Sequence, residues 1–225
     1  AGYNVWRNHV LSFGLGKKIE ADLSNQLQGI LPTSDYSDRF YGEGRWHSLM
    51  LVSMAIGQGE LSFTPLQMAN MAAVIANRGF YYPPHVIKTI KVNTQIPERF
   101  RSPKRLSIDT AHFGPVIDGM QKVVEAGTAT TARIDSIVVC GKTGTAENPH
   151  GEDHSIFIAF APKDDPQIAI SVYVENAGFG SVWAAPIASL MIEKYLKGQI
   201  SKNKKWWEKR ILDADFIHTT KPENP

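Results

Sequence analysis

Residues 141–145, Gly-Lys-Thr-Gly-Thr, hold the densest set of groups in the chain that could do chemistry. Lys142 supplies a positive charge. Thr143 and Thr145 supply hydroxyls that fall on the same side of an extended chain, because side chains alternate along a strand. Gly144 leaves room for a second backbone to lie alongside. These groups suit a peptide that ends in a carboxylate, because the ammonium would hold the carboxylate, the hydroxyls would orient it, and a backbone N–H would face a developing oxyanion.

Four interpretations of this segment compete. A nucleotide phosphate loop needs a glycine five residues before Gly141, where the chain has Ser136, and a helix directly afterwards, where Pro149 follows. A second interpretation is an ordinary strand end with a surface lysine. A third is a serine acyl-transfer site, because Lys-Thr-Gly is one of three elements of penicillin-recognising enzymes. The fourth is a binding module that uses the same groove without turnover.

Composition limits the remaining possibilities. The 225 residues are 43% hydrophobic and 20% charged, which is typical of a folded protein with one domain or slightly more. A net charge of +2 is too small to indicate a nucleic-acid partner. The single cysteine, Cys140, excludes an intrachain disulfide, and its position favours a buried small hydrophobe over a reactive thiol. The longest apolar run, residues 49–56, is too short to cross a membrane.

Helices are predicted on both sides of the motif. Thr64 is the expected N-cap of a buried helix, with Gln67 completing a capping box and Gly79 ending it. Helical spacing also predicts helices near residues 5–13, 113–126 and 184–197, whereas residues 34–48 read as a surface loop and 85–106 as a strand or hairpin followed by a basic loop. The helix over 113–126 is expected to bury Phe113, Val116, Ile117, Met120, Val123 and Val124. The last helix is expected to bury Ile187, Leu190, Met191 and Tyr195 and to end at Gly198.

Three strands follow one another at the point where the hydrophobic period changes from 3.6 to 2. They are predicted over residues 136–141, 155–161 and 168–174, each rich in β-branched or aromatic residues. The short connection over 162–167 favours an antiparallel hairpin. The order of helices, consecutive strands and a packing helix indicates an α+β fold with an antiparallel sheet flanked by helices.

The ordered segments of the chain resemble a known family. They are SMAIGQGELSFTPLQMANMAAVIANRG, GTATTARIDSIVVCGKTGTAE, DHSIFIAFAPKDDPQIAISVYVEN and AAPIASLMIEKYL. Together they resemble the C-terminal part of the transpeptidase domain of class B penicillin-binding proteins, most like the penicillin-binding protein 2 branch, over residues 3–197. The resemblance implies a penicillin-binding, β-lactamase-like fold that is present here only in part, with three C-terminal strands.

The resemblance also implies an activity and a site. The activity is serine-type D,D-transpeptidation, in which an acyl-enzyme cross-links peptidoglycan stem peptides and β-lactams acylate the same serine. Lys142, Thr143 and Gly144 match the family's third motif and would bind substrate. Thr145 would contribute a substrate hydroxyl and one oxyanion-hole N–H, so Lys142 and Thr145 are the predicted catalytic residues. Residues 57–59, Gly-Gln-Gly, match a signature expected to shape the loop behind the site.

Two family motifs have no counterpart in the expected place. The nucleophile's S-x-x-K and the S-x-N motif are both expected upstream of residue 1. Only residues 201–204, Ser-Lys-Asn-Lys, fit S-x-x-K, and we interpret them as a chance match in a solvated tail. The chain is therefore expected to be part of a longer protein and inactive alone, with the transpeptidase domain over residues 1–198 and a basic, polar tail over 199–225.

Partners and location are expected from the resemblance alone. They are the D-Ala-D-Ala stem peptide, β-lactams and a SEDS-type glycan polymerase, at the periplasmic face of the bacterial inner membrane. The strand over 168–174 would lie against a strand outside this chain, so its open edge predicts self-association. No metal or organic cofactor is expected. A β-lactam-sensing receptor domain and a non-catalytic homologue are the alternative functions.

Two further groups of residues have a chemical and a structural interpretation. His150, Glu152, Asp153 and His154 contain metal-ligand types, but a solvated loop between two strands is favoured. Trp206 and Trp207 stand among lysines and could contact a membrane surface or a partner, but a solvated terminal helix is favoured.

Overall fold

A computed structural model describes residues 2–87 and 96–216. The chain divides into two compact units, one formed by Ala1–Met71 with Phe80–Ser107 and the other by Ala72–Gly79 with Ile108–Pro225. Within the described ranges, none of the helices combines the length and the apolar character that a membrane crossing requires.

The first unit is mainly helical. Its elements are α1 (Gly2–Ser12), α2 (Ser34–Tyr41), α3 (Ser48–Ala55), the start of α4 (Pro65–Ala76), β1 (Phe80–Tyr81), α5 (Glu98–Arg101) and β2 (Lys104–Arg105). The two short strands pair in antiparallel fashion, with Phe80 opposite Arg105. The predicted helix near residues 5–13 is confirmed as α1.

The capping box predicted at the start of α4 is confirmed. The Gln67 N–H donates to Thr64 Oγ1 at 3.2 Å, and the Thr64 N–H donates to Gln67 Oε1 at 2.8 Å. At the other end Gly79 has a φ of +107° and its N–H donates to the Val74 carbonyl at 2.9 Å. The helix interior is buried or half-buried, as its apolar character predicts.

The prediction of a surface loop over residues 34–48 is wrong, because α2 occupies residues 34–41. Thr33 caps this helix by accepting a hydrogen bond from the Tyr36 N–H at 3.1 Å. The stretch is rich in Ser and Asp and lacks the apolar spacing that predicts a helix. The Thr33 cap fixes where the helix starts. Of the predicted strand or hairpin over 85–106, residues 88–95 lie outside the described residues, and α5 and β2 take up part of the remainder.

The second unit holds the sheet. After the end of α4 it contains α6 (Phe113–Glu125), β3 (Cys140–Ala146), β4 (His154–Ala161), β5 (Ile168–Val174), α7 (Ala184–Lys197) and α8 (Lys205–Leu212). The three strands are antiparallel in the order β3-β4-β5. The predicted α+β class with an antiparallel sheet and flanking helices is confirmed.

The first of the three strands lies later in the chain than predicted. The expected strand over 136–141 starts instead at Cys140 and continues through the whole Lys-Thr-Gly segment to Ala146. Ile134 and Ile137 form a bridge, and Ser136 between them has a φ of +67°, so these residues form a turn. Apolar, β-branched side chains are typical of strands, but here those of residues 134–139 belong to the turn. The glycine- and threonine-rich motif forms the hydrogen-bonded strand instead.

The helix α7 buries only part of the face that was predicted to be buried. The sheet residues Phe157, Ala159, Ile170 and Val172 form the core together with small helix residues, Ala184, Ala185 and Ala188, and Ile192. Leu190 is 8% exposed and Ile187 is partly buried against the core, as predicted, whereas Met191 and Tyr195 are 54% and 65% exposed. The small side chains let the helix backbone approach the sheet closely, and Met191 and Tyr195 lie on the outward side of the helix.

On α6, Phe113, Ile117, Met120 and Val124 are buried as predicted and Val123 is partly buried, whereas Val116 is 48% exposed.

Within the described part of the basic tail, Lys205–Leu212 form α8, which confirms a helix in this segment. The Arg210 guanidinium lies over the ring of Trp183, 4.2 Å from its centroid, and over that of Trp207 at 5.0 Å. Trp206 is 62% exposed. Stacking of this kind attaches α8 to the start of α7. The predicted domain boundary after residue 198 stays a prediction.

A buried polar cluster joins α7 to the segment before α8. Glu193 is 1% exposed, and its carboxylate accepts hydrogen bonds from the Ser201 hydroxyl, from the Ser201 N–H at 3.3 Å and from Lys197 at 3.3 Å. Lys204 donates to the Arg133 carbonyl at 2.5 Å and to the Ser189 hydroxyl. The prediction of a solvated tail at residues 201–204 is therefore wrong for Ser201 and Lys204, because both are half-buried and hydrogen-bonded to α7. They match S-x-x-K by spacing but contact different partners.

Replacing Glu193 with glutamine is expected to lower stability by about 1–3 kcal/mol at neutral pH, because buried donors would lose a charged acceptor. Burial alone would raise the pKa of Glu193, but hydrogen bonds from Ser201 and Lys197 outweigh it and hold the pKa below its ordinary value of 4.5. A pKa lowered on folding stabilises the fold above the unfolded value, and this contribution disappears as the pH falls through the folded value.

Urea unfolding of the wild type and Glu193→Gln over a range of acidic pH values checks this expectation. The difference between the two free energies of unfolding should shrink on acidification, while a Glu43→Gln control at an exposed position should follow the wild type at every pH. Two curves separated by a constant amount would show that Glu193 carries no pH-linked stability.

Candidate active site on strand β3

The strand β3 forms one edge of the sheet. Within residues 2–87 and 96–216, β4 pairs with one side of β3 and no strand pairs with the other. Lys142 lies opposite Ile158 in the register and is exposed. Its Nζ donates to the Thr143 carbonyl at 2.7 Å, which holds the ammonium beside the strand. A peptide that adds to this edge would therefore meet both a backbone ladder and a positive charge.

Thr143 has a hydroxyl partner that the sequence interpretation missed. Thr143 Oγ1 and Thr128 Oγ1 are 2.9 Å apart. Thr128 is exposed and stands in the connection between α6 and β3. The run Gly-Thr-Ala-Thr-Thr over 127–131 was part of the family resemblance, so the signal was present in the sequence, but only the fold shows which strand residue Thr128 faces.

Gly144 and Thr145 continue the same edge. Gly144 lies opposite Ile156, and a methyl group on Gly144 would be 3.3 Å from Ile156 Cβ. Thr145 lies opposite Ser155 and is half-buried. The alternation along β3 places Thr143 and Thr145 on one face and Lys142 on the other, as the spacing predicts. The structure thus brings the four predicted site residues onto one open strand edge, while their roles stay predictions.

The loop between β5 and α7, which contains Gly180, packs against β3 and β4. The Ser155 hydroxyl, which is fully buried, donates to the Phe179 carbonyl at 2.9 Å and accepts from the Ala184 N–H at 3.1 Å. Gly180 is buried in the loop, and a Cβ there would lie 2.6 Å from the Gly144 carbonyl oxygen. This close approach fixes the backbone of the motif, and the sequence interpretation did not assign it.

Cys140 is confirmed as a buried small side chain. It is 0% exposed and begins β3, two residues before Lys142. Burial raises the pKa of its thiol to about 11, so the thiolate that a nucleophile requires is scarce at neutral pH.

The acidic and histidine residues between β3 and β4 contact the backbone. Asp153 Oδ1 accepts from the Asn148 N–H at 3.2 Å, and His154 Nδ1 accepts from the Asn176 N–H at 3.1 Å. In the part of the chain that the structure describes, no three His, Cys, Asp or Glu side chains gather as metal ligands would. These contacts fit the structural interpretation of the loop.

The Gly-Gln-Gly signature closes α3 in the first unit. Gly57 and Gly59 have φ values of +85° and +73°, and the Gln58 N–H donates to the Ser53 carbonyl at 3.0 Å. The positive φ values explain why glycine occupies both positions. The expected role of this turn behind the active site stays a prediction.

Comparison with known proteins identifies the family of the chain. Residues 1–193 match the family described as penicillin binding protein transpeptidase domain. The chain belongs to this family. The Haemophilus influenzae peptidoglycan D,D-transpeptidase MrdA is 30% identical over 91% of this chain and 34% of its own length. The predicted family and its fold are thereby confirmed.

Solved structures agree with this family membership. A crystal structure of Pseudomonas aeruginosa PBP2 in complex with WCK 5153 superposes with a TM-score of 0.77 and 31% identity, over 90% of this chain and 45% of that one. A structure that describes the coordination of polymerization and crosslinking by a peptidoglycan synthase complex gives a TM-score of 0.76 and 27% identity, over 89% of this chain and 34% of that one. The chain spans about a third of the length of the curated relatives it matches, 30% and 34% for two MrdA proteins.

Proposed function

We propose that this chain forms the substrate-binding wall of a peptidoglycan D,D-transpeptidase that works through a serine acyl-enzyme. The observation that carries the proposal is the exposed Lys142 on the open edge of β3, with Thr143 and Thr145 beside it. A D-Ala-D-Ala stem peptide ends in a carboxylate and has an extended backbone. It therefore fits a strand edge that offers a cation, hydroxyls and backbone groups for β-strand hydrogen bonding.

Each residue of the motif has a separate task in this proposal. The terminal carboxylate lies at the open edge of β3, where the Lys142 ammonium reaches it from one face of the strand and the Thr143 hydroxyl donates to it from the other. Gly144 lets the substrate backbone approach β3 without a side chain between them. The Thr145 N–H points at the carbonyl oxygen that becomes negatively charged during attack, and its hydroxyl orients the substrate.

The covalent steps of this proposal need a serine nucleophile. A serine Oγ attacks the carbonyl carbon of the D-Ala-D-Ala bond and loses its proton. The C–N bond breaks, and the terminal D-Ala leaves as the amine with that proton. An amine of a second stem peptide then attacks the ester, an amide forms, and the serine recovers a proton. Ser201 lacks the lysine partner that an S-x-x-K nucleophile would have, because Lys204 donates to the Arg133 carbonyl and to the Ser189 hydroxyl instead. We therefore propose that the serine lies in a part of the protein outside this chain.

β-Lactams would bind in the same place. Their carboxylate takes the position of the peptide's terminal carboxylate, and their strained amide takes that of the scissile bond, so the same serine opens the ring. This proposal needs no metal or organic cofactor, because charge, hydroxyls and backbone N–H groups supply the stabilisation.

The setting of the enzyme is proposed on family grounds. The similarity to a chain of a peptidoglycan synthase complex supports a glycan polymerase as a partner, and the SEDS type is proposed from the family resemblance. The periplasmic face of the bacterial inner membrane is the place where such a pair would act on peptidoglycan. Self-association through the edge of β5 stays a prediction.

Labelling with fluorescent penicillin tests the proposed function. We expect the full-length protein to form a covalent adduct that survives denaturing electrophoresis, and the 225-residue chain to form none. Preincubation with unlabelled benzylpenicillin should block the signal, and heat-denatured protein serves as the control for nonspecific reaction. An adduct on the 225-residue chain would show that the nucleophile lies within it, and an unlabelled full-length protein would argue against the transpeptidase.

A further inference from the structure

Thr128 and Thr143 form a hydroxyl pair beside the predicted carboxylate position. Their Oγ1 atoms are 2.9 Å apart, a normal distance for an O–H···O hydrogen bond. Thr128 comes from the connection after α6 and Thr143 from the edge strand, so 15 residues separate them in sequence. This contact links a residue without an assigned role to one that the proposed function places against substrate.

The backbone around Thr128 is fixed by close packing. A Cβ on Gly127 would lie 2.8 Å from Val123 Cα, so a residue with a side chain cannot replace this glycine without a shift. The next residue, Ala129, is fully buried, and its N–H donates to the Val123 carbonyl at 3.0 Å. Thr128 is therefore held between two constrained residues while its own side chain remains exposed.

The direction of the hydrogen bond follows from counting protons. A threonine hydroxyl has one proton and can donate only once, whereas an ionised carboxylate can only accept. If Thr143 donated to Thr128, its lone pairs would face the substrate carboxylate and repel it. If Thr128 donates to Thr143, the Thr143 proton is available for the carboxylate. The second arrangement satisfies all three groups.

We propose that Thr128 is a positioning residue that donates to Thr143 and thereby directs the Thr143 proton toward the carboxylate of the stem peptide or the β-lactam. This inference rests on the proposed function, because it needs Thr143 to face that carboxylate. It makes the recognition of a charged terminus depend on a two-hydroxyl relay instead of a single side chain. The chain of donors strengthens each bond because both dipoles align toward the negative charge.

The test compares Thr128→Val, Thr128→Ser and Thr143→Val in the full-length protein. Acylation rates are measured with benzylpenicillin and with its methyl ester, which has the same ring but no negative charge. We expect Thr128→Val to slow acylation by benzylpenicillin about 5- to 10-fold, the loss of one net hydrogen bond, and to change the ester rate less than about 2-fold. Thr128→Ser keeps the hydroxyl and should restore the rate. The thermal midpoint should be unchanged, because Thr128 is exposed.

A double-mutant cycle separates the relay from other roles. If Thr128 acts through Thr143, the double variant should react no more slowly than Thr143→Val alone. Additive losses, an equal loss with the ester, or no loss in Thr128→Val while Thr143→Val is slow would each overturn the relay and leave the proposed function standing. Full activity of Thr143→Val and of a Lys142→Ala variant would instead remove the proposed carboxylate site, and the relay with it.

Discussion

Replacing Lys142 by alanine is expected to slow acylation of the full-length protein by benzylpenicillin roughly 30- to 1000-fold. The estimate follows from losing the cation opposite a carboxylate that desolvates on binding, by analogy with truncated charge pairs. Lys142 is exposed and its ammonium rests on the Thr143 carbonyl, so the substitution removes no buried support and should not unfold the sheet. Stopped-flow measurement of adduct formation against penicillin concentration gives the apparent dissociation constant and the acylation rate separately.

The control for this substitution is a lysine of similar exposure outside the Lys-Thr-Gly segment. Lys122→Ala on α6 should react like the wild type, whereas Lys142→Arg, which keeps a charge, should lose less than Lys142→Ala. The methyl ester of benzylpenicillin should show little difference between wild type and Lys142→Ala. An equal loss with the acid and with the ester would mean that Lys142 does not recognise the carboxylate.

Local chemistry made much of the scaffold predictable. The α4 helix could be placed from Thr64, Pro65 and Gln67 because a capping box satisfies backbone donors through neighbouring residues alone. The strands β4 and β5 could be located from β-branched and aromatic runs, with β5 matching its predicted bounds. The family could also be identified, because the resemblance depended on ordered segments along the chain.

Features set by long-range packing could not be predicted in the same way. Ala184 and Ala188 lie on the face of α7 toward the sheet. They contribute by letting the helix backbone approach the sheet closely, more than by their own hydrophobicity. A spacing argument favours large apolar residues, so it correctly includes Leu190 and Ile187 but also includes Met191 and Tyr195, which are exposed. The bounds of β3 were missed for a similar reason, because the partner strand β4 provides the ladder that a glycine-rich segment would not form alone.

The candidate site shows the same division. The four motif residues could be named from the sequence, since their types and spacing already describe a cation and two hydroxyls on one strand. Thr128 could not be assigned a partner, because its contact with Thr143 depends on how the chain turns after α6. The contribution of Gly180 was also hidden, since a glycine's close approach to another strand leaves no trace in local pattern.

Gly180→Ala is expected to destabilise the chain by about 3 kcal/mol or more, which is the upper range for forcing extra volume into a packed site. The new Cβ would lie 2.2 Å from the Ile156 carbonyl oxygen and 2.6 Å from that of Gly144. Both obstacles are backbone atoms of paired strands, so neither can rotate away as a flexible side chain would. The loop before α7 must then move off β3, which removes support from the Lys-Thr-Gly segment. Urea unfolding followed by circular dichroism measures the cost.

Gly119→Ala is the matched control, because a Cβ at Gly119 meets nothing within 4 Å and the residue lies inside α6. An alanine there should stabilise the chain by about 0.5–1 kcal/mol, since glycine has the larger backbone entropy in the unfolded state. The two variants add the same methyl group and should therefore have opposite effects. If Gly180→Ala unfolds at the same urea concentration as the wild type, the loop does not rest against β3, and the motif must be held in place by β4 and α6 alone.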